Sequence, residues 1–502
     1  MNRKTQASAH QAELEQLTGN RYANCYQCGK CTAGCPAGDQ MDNPPTLIMR
    51  LIQLGRLADA LRSQSLWCCV ACQTCTARCP QNMDIAGTMD ALREIALREN
   101  IVSETEARKR VNAFHQAFLA QVHKNGRLNE LGMVTSYKLR TGTFFQDVDS
   151  GVKMVLQGKI NPLSLLKSHG KVKAQEQIDR IFAASKSDKT DSHVEKRKPE
   201  KIDINVRDPI ALDPDKTMGY YPGCSLGGTA IEYGVSVLKM CELLGIRIKE
   251  IDDWNCCGGS SAHATGHVLS QLLPARNQVL ADAQGFEHVL TPCAACYNRQ
   301  VITRDALQNR PELREKIEEI TGATSSLRAE FVNTMQLLEG YGLEKLAAGA
   351  KENHPIKGLK LACYYGCLLV RPQSSTAFDD PEHPTKMDKI VAAVGAEPVD
   401  WAFKVECCGA GLTMANPKLI EELTYNIVKN ASQAGAQAFV VACPLCHSNL
   451  DMRQASMRSR FGDVPTMPVY YISELVALAY GADPRDVAIN KHFVPAVQLV
   501  TR

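Results

Sequence analysis

Long apolar runs are missing from this 502-residue chain. No stretch approaches the ~20 residues that a membrane-spanning helix needs, and the nearest, around Ala438 to Ala442 and Tyr470 to Ala479, fall far short. The start, Met1 to Gln16, is polar and lacks the apolar core of an export signal, so a cytoplasmic protein is expected. Net charge is nearly absent at +3, which gives no case for nucleic acid or an anionic membrane surface as a partner. Gly227-Gly228 and Gly258-Gly259 lack the G-x-G-x-x-G spacing and the acid that follows it, so no flavin or nicotinamide site is expected. The 44% hydrophobic and 22% charged content is that of a globular protein, and the length suggests about three units.

Cysteine is what the chain has in excess. In a sequence without an export signal, 21 cysteines point to metal ligands or redox chemistry before structural disulfides. They are dense from Asn24 to Pro80. Leu47, Leu51, Leu54, Leu57 and Leu61 between the two N-terminal sets have helical spacing, and helical character continues through Met89 to Ala120. Mixed shorter elements reach Ala183, and the polar, proline-bearing run Ser185 to Lys201 reads as a solvated linker. Beyond Lys216, short apolar strands alternate with helices, for example Val289 to Thr291 before Asn298 to Gln308, which argues α/β. That part also repeats. Tyr221-Pro222-Gly223-Cys224 is echoed by Tyr364-Tyr365-Gly366-Cys367, Cys256-Cys257-Gly258 by Cys407-Cys408-Gly409, and Cys293-Ala294-Ala295-Cys296 by Cys443-Pro444-Leu445-Cys446, at offsets of 143, 151 and 150 residues. The expected fold is an α+β multidomain protein. Its units are a helical ferredoxin-like module at 1–110, a helical extension at 111–183, a charged linker at 184–216, and tandem α/β domains at 217–352 and 353–502.

Cys25-x2-Cys28-x2-Cys31-x3-Cys35-Pro36 recurs as Cys69-x2-Cys72-x2-Cys75-x3-Cys79-Pro80. Three thiolates on a tight loop take three corners of one iron–sulfur cubane, and the fourth cysteine, turned away before its proline, reaches the other cubane. The ligand sets expected are Cys25, Cys28, Cys31 and Cys79 for one [4Fe–4S] cluster, and Cys69, Cys72, Cys75 and Cys35 for the second. Cys68 is left out, because only Cys69 keeps the two-residue gap to Cys72. Paired zinc knuckles are the competing reading, but three cysteines at successive two-residue gaps crowd a tetrahedral zinc and leave the repeated Cys-Pro ending without a role. The 33 residues between Cys35 and Cys69 hold a helix, and the module resembles the helical ferredoxin unit of succinate dehydrogenases and heterodisulfide reductases.

The C-terminal repeats carry five cysteines each: Cys224, Cys256, Cys257, Cys293 and Cys296, then Cys367, Cys407, Cys408, Cys443 and Cys446. Adjacent cysteines before glycine suit neither a disulfide nor one metal ion, whereas neighbouring thiolates on a backbone bent at glycine can bridge or flank several irons. Spacing does not reveal the architecture. On these motifs the C-terminal half resembles the B-type polypeptide of heterodisulfide reductase, the CCG-domain family, and the N-terminal part resembles the C-type polypeptide of the same enzyme, so the chain looks like a fusion of the two. The stretch from Phe114 to Asp147, with NGRLNELG and KLRTGTFFQD, is similar to the helical extension of the C-type polypeptide. The resemblance implies that each complete five-cysteine motif holds a noncubane [4Fe–4S] cluster. A disulfide substrate would lie between the two clusters, be split, and be released as thiols after protonation. It also implies a flavin-bearing partner resembling the A-type polypeptide of heterodisulfide reductase, or another flavoprotein, and a small-molecule disulfide or dithiol.

Side chains outside the spacings are read more plainly. His447 after Cys446, and His263 and His267 after the first CCG, are candidate proton donors, with a structurally bonded histidine as the competing reading. Cys241 sits among apolar residues at helical positions and reads as core, and Cys363 as strand packing. The expected activity is an oxidoreductase subunit that reduces or forms a disulfide within a complex. The alternative is a non-catalytic conduit between a flavoprotein dehydrogenase and a quinone-reactive membrane partner, which would place the chain at the inner membrane face; iron–sulfur subunits of glycolate oxidase and anaerobic glycerol-3-phosphate dehydrogenase are similar in arrangement.

Overall fold

The structure, a computed structural model, describes residues 3–101, 105–160, 171–187, 204, 206–462 and 464–501. Proline and glycine punctuate the N-terminal module. After α1 (Arg3–Thr18), Pro45 opens α2 (Pro45–Gln53) at its first turn, and Ile48, Met49, Leu51 and Ile52 bury the inward face. Gly55 at φ +67° ends that helix, and α3 (Leu57–Arg62) starts after the turn. The leucine period of the sequence is therefore two short helices; Leu51, Leu57 and Leu61 are buried while Leu47 and Leu54 are exposed. The cysteine loops each close on one helical turn, Lys30–Ala33 and Thr74–Ala77, and these turns pack on each other. They enter through left-handed Gly29 (φ +79°) and Gln73 (φ +61°).

Next come α4 (Ile85–Arg98), capped by Asp84 through Gly87 N, and α5 (Glu106–Asn125), which runs unbroken through residue 110. Asn129 caps α6 (Glu130–Thr141), followed by α7 (Val148–Leu156) and α8 (Gln175–Ser187). Most of the expected linker, residues 188–203 and 205, lies outside the described residues.

The rest is α/β. Strands β1 (Met218–Tyr220), β2 (Ile248–Glu250), β3 (His288–Leu290) and β4 (Glu330–Val332) form a parallel sheet ordered β2-β1-β3-β4. Strands β5 (Lys360–Tyr364), β6 (Glu397–Pro398), β7 (Ala438–Val441) and β8 (Val469–Tyr471) form a second, ordered β6-β5-β7-β8. The internal repeat is thus a repeated sheet topology. The strands are short, and helices cover them; β7 and β8 are entirely buried, which is why Ala438 to Val441 reads as a continuous apolar run. Between the repeats, α9 (Ile231–Leu243) packs on α10 (Ile472–Ala479), with the Ser236 and Ser473 hydroxyls 2.7 Å apart. Cys241 is buried in α9, and Cys363 is buried in β5. Among the described residues no helix is long and apolar enough to cross a membrane. The chain is an α+β multidomain protein.

Candidate iron–sulfur sites

All 21 cysteines are free thiols. In the N-terminal module the two loops exchange their last cysteine: Cys79 lies in the electrostatic reach of Cys25 and Cys28, and Cys35 in that of Cys69 and Cys72. The Cys25 set is the outer one, with Cys28 exposed, whereas Cys72 of the other set is buried. Burial pushes the Cys35 thiol up to about 12 and Cys69 up to about 11, so these sulfurs keep their protons unless a metal displaces them. Cys68 turns its thiol away, towards the Gln40 carbonyl.

In each repeat the parallel sheet does the gathering. Cys224, Cys256-Cys257 and Cys293 follow the carboxyl ends of β1, β2 and β3, and Cys367, Cys407-Cys408 and Cys443 follow β5, β6 and β7. Loops at the carboxyl edge of such a sheet converge. Cys293 and Cys443 cap the helices Ala294–Asn309 and Pro444–Met452, which carry Cys296 and Cys446 in their first turn. Sulfur atoms of Cys257 and Cys296 lie 3.4 Å apart, those of Cys408 and Cys446 3.7 Å, and those of Cys367 and Cys407 3.6 Å. Gly223 and Gly366, both at φ +67°, let the backbone pass the fifth sulfur; a Cβ there would come within 2.9 Å of Cys296 Sγ or 3.0 Å of Cys446 Sγ.

Tyr221 donates to the Asn255 carbonyl at 2.8 Å and Tyr364 to the Glu406 carbonyl at 2.6 Å, pinning in each repeat the residue before the paired cysteines. In the sequence these tyrosines only marked the repeat. Their role rests on contacts across 34 and 42 residues.

The thiols of different groups also come near one another. Cys72 and Cys407 lie within electrostatic reach of each other, relating the inner N-terminal set to the second repeat, and Cys293 and Cys443 do the same between the two repeats. Among the described residues no three His, Cys, Asp or Glu side chains converge as ligands of one metal ion would. A multi-iron cluster asks less, because each thiolate takes a different corner. Soft, buried, all-sulfur donor sets fit iron–sulfur clusters on that count.

The histidines divide. His263 Nδ1 pairs with Asp90 at 2.8 Å and His267 with Glu94 at 3.2 Å, so both rings are committed to α4 of the N-terminal module. His447 is buried beside Cys446; its Nε2 bonds to the Val469 carbonyl at 3.0 Å, and among the described residues Nδ1 has no partner. Burial, with His492 nearby, holds its pKa well below the usual histidine range. Next to it are two ionic pairs that the sequence did not disclose, Glu474–His492 at 2.9 Å and Lys159–Glu232 at 2.7 Å, both buried. A cavity of about 340 Å³ borders Cys224, walled by Leu128, Tyr220, Leu226, Val235 and Trp254, with Arg127 at the Trp254 ring.

Residues 24–84 match the 4Fe-4S dicluster domain, and residues 218–299 and 361–451 each match the Cysteine-rich domain, CCG. The chain joins a 4Fe-4S dicluster domain to a pair of CCG domains. Its dicluster part is 39% identical, over 80 residues, to the C-type iron-sulfur polypeptide of the CoB--CoM heterodisulfide reductase of Methanopyrus kandleri, covering 16% of this chain and 42% of that one. The chain is 29% identical over 273 residues to the B-type polypeptide of the ferredoxin/F(420)H(2)-dependent CoB-CoM heterodisulfide reductase of Methanosarcina acetivorans, covering 53% of this chain and 89% of that one. The same identity, over 286 residues, 57% of this chain and 99% of the other, relates it to the 8-methylmenaquinol:fumarate reductase membrane anchor subunit of Wolinella succinogenes. This dicluster–CCG chain is an iron–sulfur electron-transfer protein related to the C-type and B-type polypeptides of heterodisulfide reductase.

Proposed function

We propose that the chain is the electron-carrying and substrate-cleaving subunit of a heterodisulfide reductase-like complex. One observation carries the reading: successive cysteine groups come within electrostatic reach of one another, Cys31 with Cys75, Cys72 with Cys407, and Cys443 with Cys293, and the outermost group exposes Cys28. The residues that hold the clusters are Cys25, Cys28, Cys31 and Cys79, and Cys69, Cys72, Cys75 and Cys35, for two cubanes. Cys224, Cys256, Cys257, Cys293 and Cys296, and Cys367, Cys407, Cys408, Cys443 and Cys446, hold two noncubane clusters. The bound clusters supply one-electron steps and iron that takes up thiolate sulfur. The chain's own residues position and insulate. Burial excludes water from the inner thiols, Tyr221 and Tyr364 fix the paired-cysteine loops, and His447 Nδ1 holds the open proton-accepting position beside Cys446. A flavoprotein partner docks near Cys28, where the outermost group reaches the surface.

Chain with full iron and sulfide should cleave a small-molecule disulfide given a reductant, and a thiol added to the oxidised protein should change its EPR spectrum. Failure of both with clusters intact removes the reading. The second reading is the quinone-linked conduit, favoured by the apolar cavity beside Cys224 and by the quinol-linked relative. It predicts instead that the chain with its partners reduces a quinone and ignores disulfides.

A further inference from the structure

Arg371 lies four residues after Cys367 in the segment Leu368-Leu369-Val370-Arg371-Pro372 and is completely buried. A buried guanidinium is retained only where its donors are satisfied. Here Nη1 donates to Thr74 Oγ1 at 2.8 Å and to the Val405 carbonyl at 3.2 Å, Nε to the Pro381 carbonyl at 3.1 Å, and Nη2 to Glu382 at 2.5 Å. Thr74 stands between Cys72 and Cys75, its hydroxyl 3.3 Å from Cys72 Sγ, and Val405 stands two residues before Cys407. One side chain therefore ties together the loop that carries Cys72 and the loop that carries Cys407. Glu382 also takes Arg78, next to Cys79, at 2.8 Å, and Arg78 reaches Glu406 at 3.7 Å.

The other repeat shows that the CCG fold does not itself require this arginine. Aligning Cys224 with Cys367 puts Gly228 at the position of Arg371. A Cβ on Gly228 would lie 2.4 Å from Glu130 of α6, which grips Thr229 through its N–H at 2.7 Å and its hydroxyl at 2.9 Å. The first repeat keeps this spot empty for the helical extension. The second fills it with a cation aimed at the dicluster module.

We propose that Arg371 is the positioning residue of an electron junction between the dicluster module and the second repeat, which makes the second repeat, and not the first, the entry to the CCG pair. The inference rests on the cluster assignment above. At the junction one electron leaves the cluster held by Cys72 and one arrives at the cluster held by Cys407, the first being oxidised as the second is reduced, with no proton or bond transferred. Arg371 acts in two ways. Its hydrogen bonds tie the two loops to each other, and its buried positive charge favours the reduced, more negative form of the cluster beside it, since charge and hydrogen bonds near the sulfurs set such potentials.

The test uses the full chain, reconstituted without oxygen, as wild type, Arg371→Met, Arg371→Lys and Thr74→Val. Iron and sulfide are counted first, redox titrations followed by EPR give each midpoint, and rapid-freeze EPR after dithionite follows electrons from the dicluster module into the CCG clusters. Arg371→Met should lower the midpoint of the Cys72 cluster and slow transfer by about 10–100-fold, the usual cost of losing an outer partner of a metal site. Arg371→Lys should keep the midpoint yet slow transfer, because the forked contacts are lost. Thr74→Val should slow transfer without removing the charge, and it decides the matter if Arg371→Met does not fold. Full iron with unchanged midpoint and transfer in Arg371→Met, or unchanged transfer in Thr74→Val, overturns the junction while leaving the cluster assignment standing. Wild type without iron and sulfide overturns both.

Discussion

The two CCG repeats place the same five cysteines at the carboxyl ends of the same three strands, yet the loop that follows the first of those cysteines is gripped by a different part of the chain in each. The first is held by the helical extension: the Gly126 carbonyl accepts from Cys256 N at 2.9 Å, Leu128 N reaches Cys224 Sγ at 3.3 Å, and Glu130 grips Thr229. The second is held by the cysteine loops themselves, through Thr74 and Arg78. Their interiors differ too. The residue after the fifth cysteine is Tyr297 in the first repeat and His447 in the second, and the third residue of the helix after the last strand is Gln336 in one and Glu474 in the other. Glu474 carries His492 with it, and Glu232, from α9 of the first repeat, reaches Lys159 across the same buried region. One scaffold has been given two roles, with the charged side chains concentrated where the repeats meet.

The comparison can be broken most strongly at the cysteines. Cys257→Ser should strip the first repeat of its iron and sulfide and leave the second loaded, and Cys408→Ser should do the reverse; metal analysis with EPR reads both, and a loss shared between the repeats in either variant would mean one joint site. Next in size is Lys159→Met, which leaves Glu232 buried and unpaired and should cost about 3–5 kcal/mol in denaturant unfolding.

The Glu474–His492 pair gives the second repeat a pH dependence that the matching position of the first, Gln336, does not supply. Burial raises the Glu474 pKa against the lowering pull of His492, while for His492 burial is outweighed by Glu474, Asp451 and Glu232, which leave it raised as well. The folded chain thus binds these protons more tightly than the unfolded one. The His492 contribution is complete below its ordinary value of 6.5 and is lost as the pH climbs through its raised value, and Glu474 adds a decline that starts above 4.5. Unfolding free energy should fall with rising pH in the wild type more steeply than in a Glu474→Gln, His492→Gln double variant. The smallest effect is expected at the neutral counterpart. Gln336→Ala, which loosens only the capping box with Asn333, should cost about 1 kcal/mol in the same measurement and show no pH slope of its own.

What the sequence disclosed was the part written in local spacing. The cysteine sets, the repeat and its strand–helix alternation, and the burial of Cys241 and Cys363 are visible within a few residues of each other. The leucine period was readable but hid a break, because Gly55 divides it into two short helices and leaves Leu47 and Leu54 exposed. Contacts between distant segments were not readable. His263 and His267 look like free histidines until α4 presents Asp90 and Glu94, one helical turn apart and each 173 residues away. Arg371 carried one faint signal, a lone cation in an apolar segment, but its partner Thr74 is 297 residues distant.

Those paired histidines bear on how the protein could be built. Asp90 and Glu94 meet His263 and His267, Thr74 meets Arg371, Asp147 meets Arg453 and Lys159 meets Glu232, all joining residues before 187 to residues after 206. Such a seam needs no peptide bond to hold it. A chain cut between those positions and expressed as two polypeptides should reassemble, so the gene is free to exist either joined or as a pair.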